Sequence, residues 1–275
     1  QISGAGEMII DFHTHIFPDK IAGATIEKLS KASDSKAYTD GTKDGLQKSM
    51  EESGVDISVV LPVVTKQQQF SSINRYAREI TPEQFLGGGE FLSFGGIHPD
   101  TENYKAEVDE IADMGLKGIK LHPDYQRVFI DDIRYMRIMD RAAERGLIVI
   151  AHAGVDVGLP EVVHCTPKRV EHVLGQIDGG ILVMAHMGGW NCWEDVEKYL
   201  AGSRLYFDTA YSLGHMEDEH FIRLSRKHGV DKILFATDSP WDGQKEFLSR
   251  IREMNMKEDE KKAILGENAR RILKL

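Results

Sequence analysis

The sequence predicts an α/β protein folded as a single closed (β/α)8 barrel, and three observations predict it. Eight short apolar, β-branched runs recur along the chain, segments with helical spacing separate them, and His or Asp closes six of the runs. The runs are MIIDFHTH (8–15), VDISVVLPVV (55–64), FLSFGGIHP (91–99), GIKLHP (118–123), LIVIAHAG (147–154), GILVMAHMGG (180–189), RLYFDTAY (204–211) and KILFATDSPW (232–241), each bounded by Gly, Pro or polar clusters. Helical spacing falls at Leu46–Glu52, Tyr104–Met114, Ile133–Glu144, Lys168–Gln176, Trp193–Leu200, Glu219–His228 and Glu246–Met254, with two short helices from Glu258 and Glu267. Such alternation implies parallel strands joined by helical crossovers, and eight units fit a closed barrel better than an open sheet. No linker or charge block marks a second domain, so the barrel is taken as 8–275. The segment 1–7, QISGAGE, has no periodicity and reads as an expression remnant or a frayed end.

Composition narrows the function. The chain has 275 residues, with 34 Lys+Arg against 44 Asp+Glu and a formal charge of −10, and no basic block, so nucleic acid is not expected as a partner. No apolar run spans a bilayer, which excludes membrane insertion and suggests a cytoplasmic protein. Two cysteines form neither a disulfide framework nor a CxxC pattern, which leaves eleven histidines as the informative count.

Strand residues two apart share a face, so parity sorts the polar residues. In the first run His13 and His15 share a face with Asp11, with Ile10 and Phe12 expected towards the helices. In the fourth, Ile119 and Leu121 face the helices and turn Lys120 and His122 inward. His152 follows Ile148 and Ile150, His186 follows Leu182 and Met184, and Asp238 follows Leu234 and Ala236. With His98 of GIHP, these residues converge on the C-terminal mouth of the barrel, the rim that carries active sites in this architecture. Imidazoles and a carboxylate suit zinc or a similar divalent ion. His164, His172, His215, His220 and His228 fall in loops or helices, and Asp208 is ambiguous.

The stretches IIDFHTHIFP, GGIHPD, GIKLHPDYQ, VIAHAG, VMAHMGG, ILFATDSPW and ILGENARRIL resemble the metal-dependent amidohydrolase superfamily. Within it they are most similar to the amidohydrolase-related branch, which holds aminocarboxymuconate-semialdehyde decarboxylase and metal-dependent hydrolases of the TIM-barrel fold. The resemblance implies that His13, His15, His152 and Asp238 surround one divalent metal, most simply zinc, with manganese or iron as alternatives. It implies that His186 acts as acid/base or oxyanion stabiliser and that Asp238 takes the proton of bound water. Lys120 stands where binuclear members carry a carboxylated bridging lysine. Here it either bridges metals, pairs with a carboxylate such as Asp11, or reaches substrate, and an unmodified lysine beside one metal is expected.

Loop residues His98, His122, Tyr125, Gln126, Arg127, Trp190 and Trp241 are the expected substrate contacts, with Arg127 as a carboxylate clamp. The first expectation is a metal-dependent hydrolase of a small polar, even carboxylated, molecule. The alternative is a metal-dependent non-oxidative decarboxylase of an unsaturated or aromatic acid. Less favoured are a phosphoesterase or nuclease of the PHP or TatD type and a catalytically silent binding protein. Oligomeric state is left open, with a homo-oligomer allowed.

Overall fold

The computed structural model describes residues 7–275, so the expected remnant or frayed end at 1–7, apart from the exposed Glu7, lies outside the described residues. The strands are β1 (Ile10–Thr14), β2 (Ile57–Val60), β3 (Glu90–Ser93), β4 (Gly95–Gly96), β5 (Gly118–Leu121), β6 (Ile148–Ala151), β7 (Leu182–Met184), β8 (Tyr206–Asp208) and β9 (Ile233–Leu234). The helices are α1 (Asp19–Ser33), α2 (Lys43–Ser53), α3 (Phe70–Ile80), α4 (Tyr104–Asp113), α5 (Pro123–Gln126), α6 (Ile133–Glu144), α7 (Pro167–Gln176), α8 (Trp193–Tyr199), α9 (Asp218–His228), α10 (Gln244–Glu253), α11 (Glu258–Lys262) and α12 (Asn268–Leu273). All eight expected runs contain strand. The third is divided because Phe94 separates β3 from β4 at a kink. There Asn74 of α3 receives the Gly96 N–H at 3.0 Å and donates to the Gly96 carbonyl at 2.9 Å.

Every strand pair is parallel, in the orders β1-β2-β3 and β4-β5-β6-β7-β8-β9. The ring closes through Phe12 N–H to the Phe235 carbonyl at 2.9 Å, Asp238 N–H to the His13 carbonyl at 2.8 Å and a parallel bridge between Thr14 and Ser239. Ile10, Phe12, Ile57, Val59, Leu92, Ile150, Val183 and Leu234 fill the interior, and Ala269 and Ile272 of α12 close its base. Val149, Met184 and Phe207 face outward instead and pack with helix residues such as Val108, Ile138 and Phe247. Among the described residues no helix is long and apolar enough to cross a membrane.

Two expected strand faces are corrected. Asp11 pairs with Ser58 but Thr14 pairs with Val60, so three steps along β1 match two along β2, and this bulge reverses the parity. Ile10, ahead of the bulge, already points into the barrel with Phe12, whose ring is edge-on to Phe94 at 5.7 Å, so Asp11 faces α10 and accepts a hydrogen bond from Gln244, and the bulge turns the residues that follow back towards the mouth. In β7, Leu182 and Met184 pack against helices and Val183 points inward, the reverse of the expected order. Helices α1 and α3 are additions to the elements expected from the sequence. Ala22 is the buried residue of α1, which shows no apolar stripe, whereas α3 carries Phe70, Ile73, Ala77 and Ile80 at helical spacing, a stripe that the sequence reading missed.

The mouth depends on a close backbone approach. Gly154 has φ +80 and forms a parallel bridge with Trp190, and an added Cβ would collide with the Trp190 backbone nitrogen. Gly154→Ala is expected to lower unfolding stability by about 2 kcal/mol or more, combining left-handed strain with displacement of the Trp190 loop. A urea midpoint within error of the parent protein would contradict this.

Candidate active site

Three ligand atoms meet at the ends of β1 and β9. His13 Nε2 and His15 Nε2 lie 3.2 Å apart, and Asp238 Oδ1 sits 3.4 Å from the first and 3.0 Å from the second. Neighbours fix both rings. His15 Nδ1 faces the Leu61 carbonyl at 2.9 Å, and a carbonyl only accepts, so Nδ1 carries the proton. His13 Nδ1 faces Asp208 Oδ2 at 2.8 Å, and Asp208, fully buried, also accepts from the backbone N–H groups of His186 and Ala210. Burial pushes the His13 ring well below its ordinary pKa, which keeps it neutral. Both Nε2 atoms thus present lone pairs to each other and to a carboxylate oxygen. Three acceptors at such distances need a cation, or a proton, between them, and this donor set fits a divalent ion. The outer contacts to Asp208 and Leu61 are those that orient ligating histidines.

His186 stands beside this group. Its Nδ1 donates to the Ala210 carbonyl at 2.7 Å, so its Nε2 is free to accept from His152 Nδ1 at 3.0 Å. The positive φ of 59 at His186 brings its side chain into the mouth despite the unfavourable parity, whereas Asp238, with φ 71, follows the inward parity of Leu234 and Ala236. His152 does not join His13, His15 and Asp238. It falls in a second group with His122 and Asp156, stacked on the His122 ring at 4.5 Å. His152 Nε2 and Asp124 Oδ2 are buried without hydrogen-bond partners and lie 3.4 Å apart.

A cavity of about 910 Å³ opens above these residues, lined by His13, His15, Lys120, His122, Tyr125, His152, Asp156, His186, Trp190, Tyr211, Asp238 and Trp241. Lys120 is 1% exposed, and burial lowers its pKa to about 8 against the opposing pull of Asp208, Asp238 and Asp156. Asp11, offered from the sequence as its partner, lies on the other side of the sheet.

Three expected substrate contacts are not brought to this cavity. His98, Gln126 and Arg127 line a separate pocket, and Arg127 is exposed to solvent. The Gln126 amide is fully engaged, donating to the carbonyls of Val64 and Ile97 and accepting from the Tyr135 hydroxyl. The sequence leaves Asp208 ambiguous and does not single out Asp124 or Asp156. Leu205 and Phe207 both face the helices, which puts Asp208 inward by parity, whereas Asp124 and Asp156 lie past strand ends where alternation carries no information.

The family model described as Amidohydrolase (Amidohydro_2) matches residues 10–275. The chain belongs to this family. No curated protein matches it. Among solved structures, this amidohydrolase is similar to the uncharacterized TIM-barrel protein Bb4693 from Bordetella bronchiseptica, with TM-score 0.76 and 19% identity over 97% of this chain and 98% of that one. It is similar to 2,6-dihydroxybenzoate decarboxylase from Rhizobium, with TM-score 0.73 and 14% identity over 98% and 99%. A third is 5-carboxyvanillate decarboxylase from Novosphingobium aromaticivorans, complexed with manganese and 4-hydroxy-3-methoxy-5-nitrobenzoic acid, with TM-score 0.72 and 14% identity over 98% and 97%. At these identities the likeness establishes the shared barrel fold.

Proposed function

We propose that this amidohydrolase is a metal-dependent, non-oxidative decarboxylase of an aromatic or unsaturated carboxylic acid, with the cation held by His13, His15 and Asp238. The observation that carries the reading is one continuous cavity in which the His/Asp cluster and the buried Lys120 share a floor beneath the aromatic walls of Tyr125, Trp190, Tyr211 and Trp241. An acid fits that division, its carboxylate beside the cationic Lys120 and its flat body against the rings. The decarboxylases on benzoic acids among the similar structures support this order of readings over the hydrolase favoured from sequence.

A divalent cation bound there would supply positive charge to the oxygens of the substrate. His186 is the group placed to move a proton, because its Nδ1 is tied to Ala210 and its Nε2, beside His152, is the ring position left to take a proton and give it up. Protonation at the carbon bearing the carboxylate breaks the carbon–carboxyl bond, whose electron pair returns to the conjugated system as carbon dioxide leaves. Trp190 and Trp241 line the cavity and offer flat apolar surface to the ring. Hydrolysis is kept as the second reading because the side chains of His15 and Asp238 retain 17% and 14% exposure, enough for water to reach the carboxylate.

The test is a panel of hydroxybenzoates, unsaturated acids, lactones and small amides with zinc- or manganese-loaded protein. Metal-dependent carbon dioxide release is expected, reduced about 10² to 10³-fold in His186→Ala. Hydrolysis of a panel member with no carbon dioxide from any acid would replace this reading with the second one.

A further inference from the structure

We propose that the acid taken by this site carries an apolar substituent, a chain or a second ring, that lies between α1 and α3; the inference rests on the decarboxylase reading and names its substrate class. The cavity is divided by chemistry. Its His and Asp side chains and Lys120 gather on the floor at the strand ends, whereas the part beneath α1 and α3 is walled chiefly by Phe17, Ile21, Leu29, Ile73, Tyr76 and Ala77, with the hydroxyls of Ser33 and Ser72 among them. Lys28, the charged residue on that side, is exposed.

Volume supports the same division. About 910 Å³ lies near the top of the range of roughly 300 to 1,000 Å³ for sites that enclose drug-sized ligands, so a single-ring acid would leave much of it unfilled. The protein does not fill the remainder. Helix α1 runs for fifteen residues yet Ala22 is its buried residue, and Ile21 and Tyr76 at the rim are 51% and 38% exposed. Apolar side chains that a helix turns towards a void lose their contacts unless something occupies it, and an apolar group continuous with a substrate on the floor covers them.

The probes are 2-hydroxybenzenesulfonate and its 4-hexyl derivative, which cannot lose carbon dioxide, titrated calorimetrically into manganese-loaded protein. The hexyl compound is expected to bind about tenfold or more tighter, since each buried methylene favours transfer from water. Ala32→Trp, at an exposed α1 position lining the cavity, is expected to cancel that gain while leaving the parent sulfonate unchanged. Equal affinities, a gain untouched by Ala32→Trp, or failure of both sulfonates to bind would overturn the inference. Carbon dioxide release from the matching benzoates reads the decarboxylase proposal separately. A persistent hexyl gain without any turnover would remove that proposal and leave the apolar subsite standing.

Discussion

His15→Ala is expected to leave the purified protein without stoichiometric divalent metal and to lower carbon dioxide release by at least about 10³-fold. The reason lies in the proton positions. Leu61 and Asp208 each claim a ring Nδ1, so the two Nε2 lone pairs and Asp238 Oδ1 converge with nothing between them to donate. Removing His15 deletes one of three ligand atoms and opens the cluster to water. The same substitution also relieves repulsion among acceptors when no cation is present. The metal-free variant is therefore expected to unfold at the same temperature as the metal-free parent or higher, while added zinc or manganese stabilises the parent alone. Asp208→Asn keeps all three ligands and loosens one, and is expected to weaken metal binding by about 10 to 100-fold. Metal analysis after dialysis and thermal melts with and without cation check both variants. A full equivalent of metal and normal turnover in His15→Ala would remove His13, His15 and Asp238 as the centre.

How far such a site is legible in sequence depends on how each residue reaches the mouth. Lys120, His152 and Asp238 were placed inward by alternation, and the interior packing of Ile148, Ile150, Leu234 and Ala236 follows that pattern. His13 and His15 were found for a reason that does not hold, because Ile10 and Phe12 lie inside and Asp11 outside, so the histidines reach the mouth through the β1 bulge that follows Asp11, and a bulge leaves no mark in the period of the side chains. His186 arrives by a left-handed turn of its own backbone. Arg127 was selected because a guanidinium in the loop after the fourth strand matches a carboxylate, yet it caps α5 with φ 57 and is exposed to solvent, while the buried cation in the cavity is Lys120. The eight strand units were legible because each packs apolar residues on both faces. Helix α1 was not, since a helix roofing a cavity buries little of itself.

The acidic residue that β1 turns away from the barrel interior is expected to show the largest effect on stability. Asp11 is fully buried and accepts four hydrogen bonds: from the N–H of His13 at 3.2 Å, the N–H and hydroxyl of Thr237 at 3.0 and 2.6 Å, and the Gln244 amide at 3.0 Å. These contacts tie β1 to the segment after β9 and to α10, close to the seam where the barrel shuts. Asp11→Ala leaves the donors of His13 and Thr237 buried and unpaired, and is expected to cost about 3 kcal/mol or more in urea unfolding. Asp11→Asn keeps the volume and one acceptor oxygen and is expected to cost less. The pH dependence separates charge from shape. Burial outweighs the four hydrogen bonds and raises the Asp11 pKa from 3.8 to about 6, so the folded protein holds this proton to higher pH than the unfolded chain. The stability gained from the protonated carboxyl is therefore complete below about pH 4 and declines as pH rises through about 6. The difference in stability between the parent and Asp11→Asn is expected to narrow across that interval. A difference constant from pH 4 to 7, or an alanine variant within about 1 kcal/mol of the parent, would show that the seam is held elsewhere.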